Sequence, residues 1–269
     1  MYVYICPMKR WIQFSKYQGT GNDFVLIDNR LNHFPKDNQL LVARLCDRKF
    51  GVGADGLILI ENHDTEDFSM VYYNADGAES TMCGNGGRCL VAFAKQLNII
   101  NHSGSFMAVD GVHHAVIEED QVKLQMKDVS EVQVVHGAYF LDTGSPHHVA
   151  LVDAVLDVNV PEMGASIRYG QYGAQGANIN FVTPNKDGSF FVRTYERGVE
   201  DETLSCGTGV TAVAIAMHYA HKTEQTAINV QTPGGDLQVS FEQSALGYEK
   251  IFLTGGAVHV FDGSIWIDD

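Results

Sequence analysis

Residues 206–217 read CGTGVTAVAIAM, and residues 83–86 read CGNG at the head of a second apolar stretch. In both places a cysteine and two glycines precede a run that favours a helix. Residues 210–217 are apolar around the whole circumference of such a helix, so it must be buried on most of its faces. The repeated string therefore predicts two central helices, at about residues 87–96 and 209–221, one in each half of the chain.

Short strand-like segments surround both predicted helices. Alternating and apolar runs fall at about residues 24–27, 57–60 and 69–73, form a meander from 102 to 135, and recur from 138 to 261. A short helix is predicted over residues 39–46. The pattern predicts an α+β protein with two pseudo-symmetric domains, each a curled mixed sheet wrapped around its central helix.

We predict an N-terminal domain over residues 1–130 and a C-terminal domain over 131–257. The last strand, at about residues 258–269, is expected to return to the first domain. Residues 1–7 precede Met8, a possible alternative start, and are interpreted as an extension.

Charge and cysteine content narrow the function classes. The 269 residues contain 33 acidic and 18 basic side chains, a net charge of −15, which disfavours nucleic acid or an anionic membrane as partner. No apolar run approaches the 18 or so residues of a membrane helix, and the N-terminus lacks a convincing signal peptide. The five cysteines are odd in number and irregularly spaced, which predicts no disulfide framework, no metal site and a cytoplasmic location.

Cys83 and Cys206 are the candidate reactive groups. A helix N-terminus carries unpaired N–H groups and partial positive charge, which favours a bound carboxylate and lowers the pKa of a cysteine placed there. If the two halves are related by pseudo-symmetry, the thiols can face one ligand from opposite sides. One thiolate then removes a proton from carbon while the other thiol delivers one, which inverts a stereocentre. A single Cys-Gly is also typical of a small buried residue, but the duplication favours the catalytic interpretation.

Polar turns accompany the two cysteine strings along the chain. Asn22 lies in a glycine turn before a strand, Asn74 ends a strand upstream of Cys83, and His147 lies in a turn. Glu196 and Arg197 end another strand upstream of Cys206. Alone, each turn would be ordinary turn chemistry or a surface ion pair.

Together these segments resemble the diaminopimelate epimerase family. The resemblance is carried by KYQGTGNDF (16–24), GVGADG (51–56), YNADG (73–77), MCGNGGR (82–88), Pro146-His147, NINF (178–181), YERG (195–198) and CGTG (206–209), in family order. It implies two similar domains and a two-base epimerase that acts on LL- and meso-diaminopimelate without pyridoxal phosphate or any other cofactor. A homodimer is also implied.

The resemblance also implies roles for particular residues. Cys83 and Cys206 match the thiol/thiolate pair, and His147 and Glu196 match positions that tune the protonation of the cysteines. The implied substrate-binding residues are Asn22, Asn74, Gly84, Asn85, Asn178, Glu196, Arg197, Gly207 and Thr208. The planar guanidinium of Arg197 suits a second, distal carboxylate, which favours a diacid substrate.

Three positions depart from the family pattern. Some members carry Gln at the position of Gly56, and many carry Asn at that of Ser145. The segment between Glu196 and Cys206 also holds one extra residue. These departures leave open a related racemase for proline, hydroxyproline or histidine, whereas a non-catalytic amino-acid binder is disfavoured because binding alone needs no reactive thiols.

Overall fold

A computed structural model of the chain describes residues 9–80 and 82–268. The predicted extension at residues 1–7, with Cys6, lies outside these ranges. The first half contains β1 (Lys9–Gly19), β2 (Asn22–Asp28), α1 (Gln39–Cys46), β3 (Gly56–Glu61), β4 (Phe68–Asn74), α2 (Gly84–Gln96), β5 (Ser103–Ala108), β6 (Gly111–Glu118) and β7 (Gln121–Gln125). The second half contains β8 (Gln133–Val135), β9 (Ala138–Asp142), β10 (Pro146–Leu151), α3 (Val160–Tyr172), β11 (Asn178–Pro184), β12 (Phe190–Glu196), β13 (Asp201–Thr203), α4 (Gly207–Tyr219), β14 (Ala227–Thr232), β15 (Gly235–Ser244), β16 (Gly247–Gly256) and β17 (Val258–Asp268).

The strand pairings repeat between the two halves, which confirms the α+β prediction. In the first half β2 and β3 pair in parallel, β3 and β4 antiparallel, and β4 and β5 in parallel. In the second half β10, β11, β12 and β14 repeat this sequence of directions. The central helix follows the third strand of each set, so α2 and α4 occupy equivalent places.

The two curled sheets join at one seam. β7 of the first half pairs antiparallel with β16 of the second, and these strands are each other's counterparts in the repeat. β17 pairs with β1, on the far side of the first half. The predicted domain boundary at residue 130 lies between β7 and β8.

The largest core cluster surrounds both central helices. It includes the apolar side chains of α2 and α4 and the inner faces of strands from both halves. Two smaller clusters lie beneath α1 and beneath α3. No helix among residues 9–80 and 82–268 is long and apolar enough to cross a membrane.

Helix α3 is the main difference from the sequence prediction, which placed no helix there. The segment VPEMGASIRYGQY contains two glycines, and only three of its thirteen residues are buried. Glycine lowers helix propensity, and the weak apolar stripe gave no clear period. The helix forms by packing on β11 and β12: Gly164 lies against Tyr195, where a Cβ would come within 2.4 Å of the side chain. α1 begins and ends as predicted.

Candidate active site

Cys83 and Cys206 occupy the same place on the two central helices. Each is the N-cap residue and has an extended backbone, with φ −105° and ψ 126° at Cys83 and φ −124° and ψ 110° at Cys206. Each sulfur accepts hydrogen bonds from backbone N–H groups of the first helical turn, including Gly86 on α2 and Gly209 on α4. The two helices therefore begin with the same local structure.

The first glycines of the two helices touch. A Cβ added to Gly84 would lie 3.5 Å from Cα of Gly207, and a Cβ added to Gly207 would lie 3.3 Å from Cα of Gly84. The Cδ2 atom of Leu253 lies 3.3 Å and 3.0 Å from these two positions and closes the contact from one side. Two helix N-termini, each with partial positive charge, thus meet at one point, which suits a carboxylate.

Burial raises the pKa of both thiols above the ordinary value of 9. The negative charge of Glu196 raises both further, whereas the N–H groups of the helix termini lower them. The sequence argument considered only the lowering by the helix. In the folded chain burial is the larger effect, so both cysteines are thiols at neutral pH.

A hydrogen-bonded web supports the start of α2. Asn85 is fully buried and its side chain donates to Asn22 (2.6 Å), while its oxygen accepts from Arg88 (2.9 Å) and Thr20 (3.1 Å). Asn22 in turn donates to Asp55 (3.1 Å). The side chain of Asn85 thus fixes the loop that carries Asn22, and its backbone N–H faces Cys83.

A second web supports the start of α4. His147 is completely buried, accepts a hydrogen bond from Asn180 at Nδ1 (3.1 Å) and lies 3.5 Å from the amide nitrogen of Asn178. Burial lowers the pKa of His147 to about 3, so the ring is neutral. Asn180 lies against Gly209, where a Cβ would come within 2.5 Å of its Oδ1. His147 therefore contacts Asn180, and it is Asn180 that contacts the first turn of α4.

Thr208 connects Cys206 to the loop between β9 and β10. Its hydroxyl lies 3.4 Å from the Cys206 sulfur, and its carbonyl accepts a hydrogen bond from Thr143 (2.8 Å).

Glu196 lies near both cysteines, since its charge raises the pKa of each. Burial raises its own pKa above the ordinary value, and it accepts a hydrogen bond from Thr203 (2.9 Å). The segment after Glu196 forms a hairpin turn that the N–H of Glu200 closes by donating to the Glu196 carbonyl (2.8 Å). Glu200 has a φ of +59°, and β13 pairs back onto β12 beyond it. This turn lies between Glu196 and Cys206, and the charge of Glu196 still acts on both thiols.

Arg197 and Asn178 meet at Ser145. The exposed guanidinium of Arg197 donates to the Gln175 carbonyl (2.9 Å) and the Ser145 hydroxyl (3.4 Å). Asn178 donates to the same hydroxyl (3.1 Å) and accepts from the Arg197 backbone N–H (2.8 Å). Ser145 therefore takes part in the hydrogen bonding of both residues. Asn74 is exposed at the end of β4.

The sequence analysis missed three residues that the structure places around the site. Arg88 and Asn180 lie inside quoted motifs, so their place in those motifs was the available signal. Tyr72 lies directly before a quoted motif, and its ring packs against Gly56: a Cβ there would come within 2.5 Å of the ring and 2.7 Å of the Tyr73 carbonyl. A longer side chain at position 56 is thus excluded. Among the described residues, no cluster of three or more His, Cys, Asp or Glu side chains could hold a metal ion.

The family model described as "Diaminopimelate epimerase" matches residues 14–132 and 139–260. A diaminopimelate epimerase from Flavobacterium psychrophilum is 58% identical over 94% of this chain and 100% of its own length. Another from Aquifex aeolicus is 40% identical over 94% of this chain and 98% of its own length.

Similar solved structures share the fold at low identity. A phenazine biosynthesis protein of the PhzF family from Bacillus anthracis has a TM-score of 0.78 at 13% identity, covering 96% of this chain and 100% of its own. A hydroxyproline epimerase from Agrobacterium vitis, with bound trans-4-hydroxy-L-proline, has a TM-score of 0.67 at 14% identity, covering 98% and 94%. At these identities the likeness concerns the fold alone.

Proposed function

The chain belongs to the diaminopimelate epimerase family, and from that premise we propose that it interconverts LL- and meso-2,6-diaminopimelate as a step of lysine and peptidoglycan-precursor synthesis. It is an isomerase. The proposed chemistry uses the cysteine pair and no cofactor.

The contact between Gly84 and Gly207 carries the mechanistic part of this proposal. A carboxylate bound where the two helix N-termini meet would receive N–H groups from both. The adjacent α-carbon would then lie between two sulfurs that approach from opposite sides. Gly84, Asn85, Gly207 and Thr208 supply the backbone groups in this proposal.

The reaction exchanges one proton at each face of the α-carbon. Glu196 accepts the proton of the Cys83 thiol, and the resulting thiolate takes the Cα proton from the LL isomer. The electron pair of the C–H bond moves into the carboxylate, whose developing charge the helix N–H groups stabilise. The Cys206 thiol donates its proton to the opposite face. Cys83 ends as a thiol and Cys206 as a thiolate, so the reverse reaction uses the same residues in exchanged roles.

Glu196 and His147 set the protonation of the thiols in this proposal. Glu196 is a half-buried carboxylate whose charge acts on both cysteines, and its raised pKa suits it to accept a thiol proton. His147 acts through Asn180, which contacts the first turn of α4.

The distal end of the substrate is assigned to Arg197 and to the amide side chains of three asparagines. The guanidinium of Arg197 holds only a carbonyl and a hydroxyl among the described residues, so its fork is free to bind a carboxylate in a bidentate manner. Asn22, Asn74 and Asn178 can bridge ammonium and carboxylate groups because each amide both donates and accepts.

We also propose a homodimer through β17. Within the described part of the chain β17 pairs only with β1, so one edge of an eleven-residue strand is free. Trp11 and Trp266 pair across these strands with ring centroids 4.1 Å apart, and both are about half exposed, as are Val258 and Val260. A free edge and an apolar face can pair with a second copy across a two-fold axis. The test is sedimentation of wild type and Trp266→Glu, with a monomeric wild type contradicting the proposal.

A cytoplasmic location completes the proposal. Cys46, Cys83, Cys89 and Cys206 are all unpaired, and the mechanism requires a free thiol and thiolate.

The testing experiment is proton NMR of LL-diaminopimelate with reduced enzyme in D2O. Loss of the Cα–H signal with appearance of the meso isomer is the expected result. Parallel samples with proline, hydroxyproline and histidine test whether the protein is instead a related racemase for one of these amino acids. Exchange with one of these but not with diaminopimelate would keep the two-thiol chemistry and reassign the substrate. No exchange with any compound, in a sample whose thiols titrate as reduced, would contradict the proposal.

A further inference from the structure

Tyr72 carries a hydroxyl without a partner beside the proposed substrate site. This group makes no hydrogen bond with any residue in ranges 9–80 and 82–268. Tyr72 is half-buried, and a tyrosine hydroxyl in such a place usually finds a partner. Five other tyrosine hydroxyls of this chain do so, namely those of Tyr17, Tyr73, Tyr172, Tyr195 and Tyr248.

Packing fixes where this hydroxyl lies. Tyr72 is on β4 opposite Ile58 of β3, and its ring meets Phe24 edge to face with centroids 6.1 Å apart. The ring also covers Gly56, since a Cβ there would lie 2.5 Å from Cε2 and 3.2 Å from the hydroxyl oxygen. The tyrosine therefore occupies the space into which a side chain at position 56 would extend.

The Tyr72 hydroxyl lies in the part of the molecule that holds the proposed reacting groups. The Tyr72 ring packs on Phe24, and a Cβ added to Gly86 in the first turn of α2 would lie 3.5 Å from the Phe24 ring, so Tyr72 lies beside the helix terminus that carries Cys83. Burial raises the pKa of Tyr72, and the charges of Cys83, Glu196 and Asp55 raise it further. A phenol that keeps its proton is a neutral donor. Because the nearby groups are acidic, a neutral donor among them can hold an anionic oxygen that they would repel.

We propose that Tyr72 is a substrate-binding residue whose hydroxyl donates a hydrogen bond to a carboxylate oxygen of the bound amino acid. Its ring occupies the space into which a longer side chain at position 56 would extend. This inference rests on the proposed function, because it concerns the same site and substrate.

The test compares Tyr72→Phe with Tyr73→Phe in the D2O exchange assay. Tyr72→Phe removes the hydroxyl and keeps the ring on Gly56, so the fold should survive, as a thermal melt will show. The expected result is a fall in kcat/KM of about 10- to 100-fold, mostly through a higher KM, which is typical of losing a hydrogen bond to a charged group. Tyr73→Phe removes the same atom from the opposite face of β4, where the hydroxyl donates to the Lys36 carbonyl (3.4 Å), and should stay within about twofold of wild type.

The outcomes separate the two proposals. Wild-type turnover of diaminopimelate with equal KM in Tyr72→Phe overturns the role of Tyr72 and leaves the proposed function intact. If wild type instead turns over another amino acid, the same two variants are compared on that compound, and an unchanged KM again overturns it. Failure of wild type to bind or exchange any tested amino acid overturns both.

Discussion

Helices α2 and α4 begin alike but are held in place by different side chains. Each follows an extended cysteine, and their first glycines touch. Four residues into α2 the fully buried Arg88 donates to the Gly84 carbonyl (3.2 Å), whereas at the same place in α4 Thr211 donates to the Gly207 carbonyl (2.9 Å).

The difference shows which part of the repeat the proposed chemistry requires. The backbone geometry, the sulfurs and the glycine contact are shared, while a buried cation supports one half and uncharged groups support the other. A two-base reaction needs two equivalent approaches to one carbon, but the support behind each approach is free to differ. The comparison therefore yields a graded set of tests.

The cysteines are the shared feature with the largest expected effect. Cys83→Ser and Cys206→Ser should each lower kcat by about 10³-fold or more, because a serine hydroxyl is a far weaker acid and its anion is not accessible near neutral pH. The measurement is Cα–H exchange in D2O. Cys46→Ala is the matched control, since Cys46 lies in the outer cluster beneath α1. Near-normal turnover by either serine variant would rule out the two-thiol mechanism.

The glycine contact is the next feature to break. Gly207→Ala places a Cβ 3.0 Å from Leu253 and 3.3 Å from Gly84, so the helix termini must separate by a few tenths of an ångström. We expect kcat to fall on the order of 10- to 100-fold, because misplacement of reacting groups by less than 1 Å is costly. Gly84→Ala meets slightly longer contacts and should lose less.

Gly170→Ala is the control for both glycine variants. Gly170 lies in α3 with no atom within 4 Å of an added Cβ, so this change should keep full activity and gain about 0.5–1 kcal/mol in helix propensity. Equal activity of Gly207→Ala and Gly170→Ala would show that the contact does not set the reacting geometry.

The sequence predicted the features that the two halves share better than the side chains in which they differ. The fold class, the two central helices and α1 follow from apolar period and from glycine strings, which are local signals, and the family assignment is confirmed. The sequence did not indicate the roles of Arg88 and Asn180, because Arg88 bonds to Thr20 and Asn180 bonds to His147. Both partners lie far away in the sequence. Burial of the thiols, which raises their pKa, is likewise set by packing from both halves and has no local signature.

Variants at Arg88 in α2 and Thr211 in α4 compare how strongly each side chain stabilises its half of the protein. Arg88→Met removes the buried hydrogen bonds that the guanidinium donates to Asn85, Thr20 and the Gly84 carbonyl. A hydrogen bond to a charged group contributes about 1.5–3 kcal/mol, and Thr20 still donates to Asn85, so the free energy of unfolding should fall by about 2–4 kcal/mol. Thr211→Val keeps the shape and removes one hydrogen bond, at about 1 kcal/mol. Urea denaturation measures both, and equal losses would mean that the buried cation supports its half no more than the hydroxyl does.

Acid should weaken the two halves unequally. Burial lowers the pKa of His147 to about 3 and that of His148 to about 4, from an ordinary 6.5, and both lie on β10 in the second half. Each is neutral when folded but takes up a proton in the unfolded chain below pH 6.5. Stability is therefore full above about pH 6.5 and falls as pH drops towards 4, by up to about 1.4 kcal/mol per pH unit for each histidine. A guanidinium such as Arg88 stays charged across this range.

His148→Phe tests this difference because it keeps an aromatic ring next to Tyr172 and removes one titrating group. Its loss of stability between pH 6.5 and 4.5 should be shallower than that of wild type, whereas His221→Asn, at a side chain 83% exposed, should follow wild type. Hydrogen exchange at pH 5 locates the effect: amides of β10 and β11 should lose protection before those of β2 and β3, their counterparts in the first half. Parallel pH curves for His148→Phe and wild type, or equal exchange in the two pairs of strands, would mean that the buried histidines do not make the second half the acid-sensitive one.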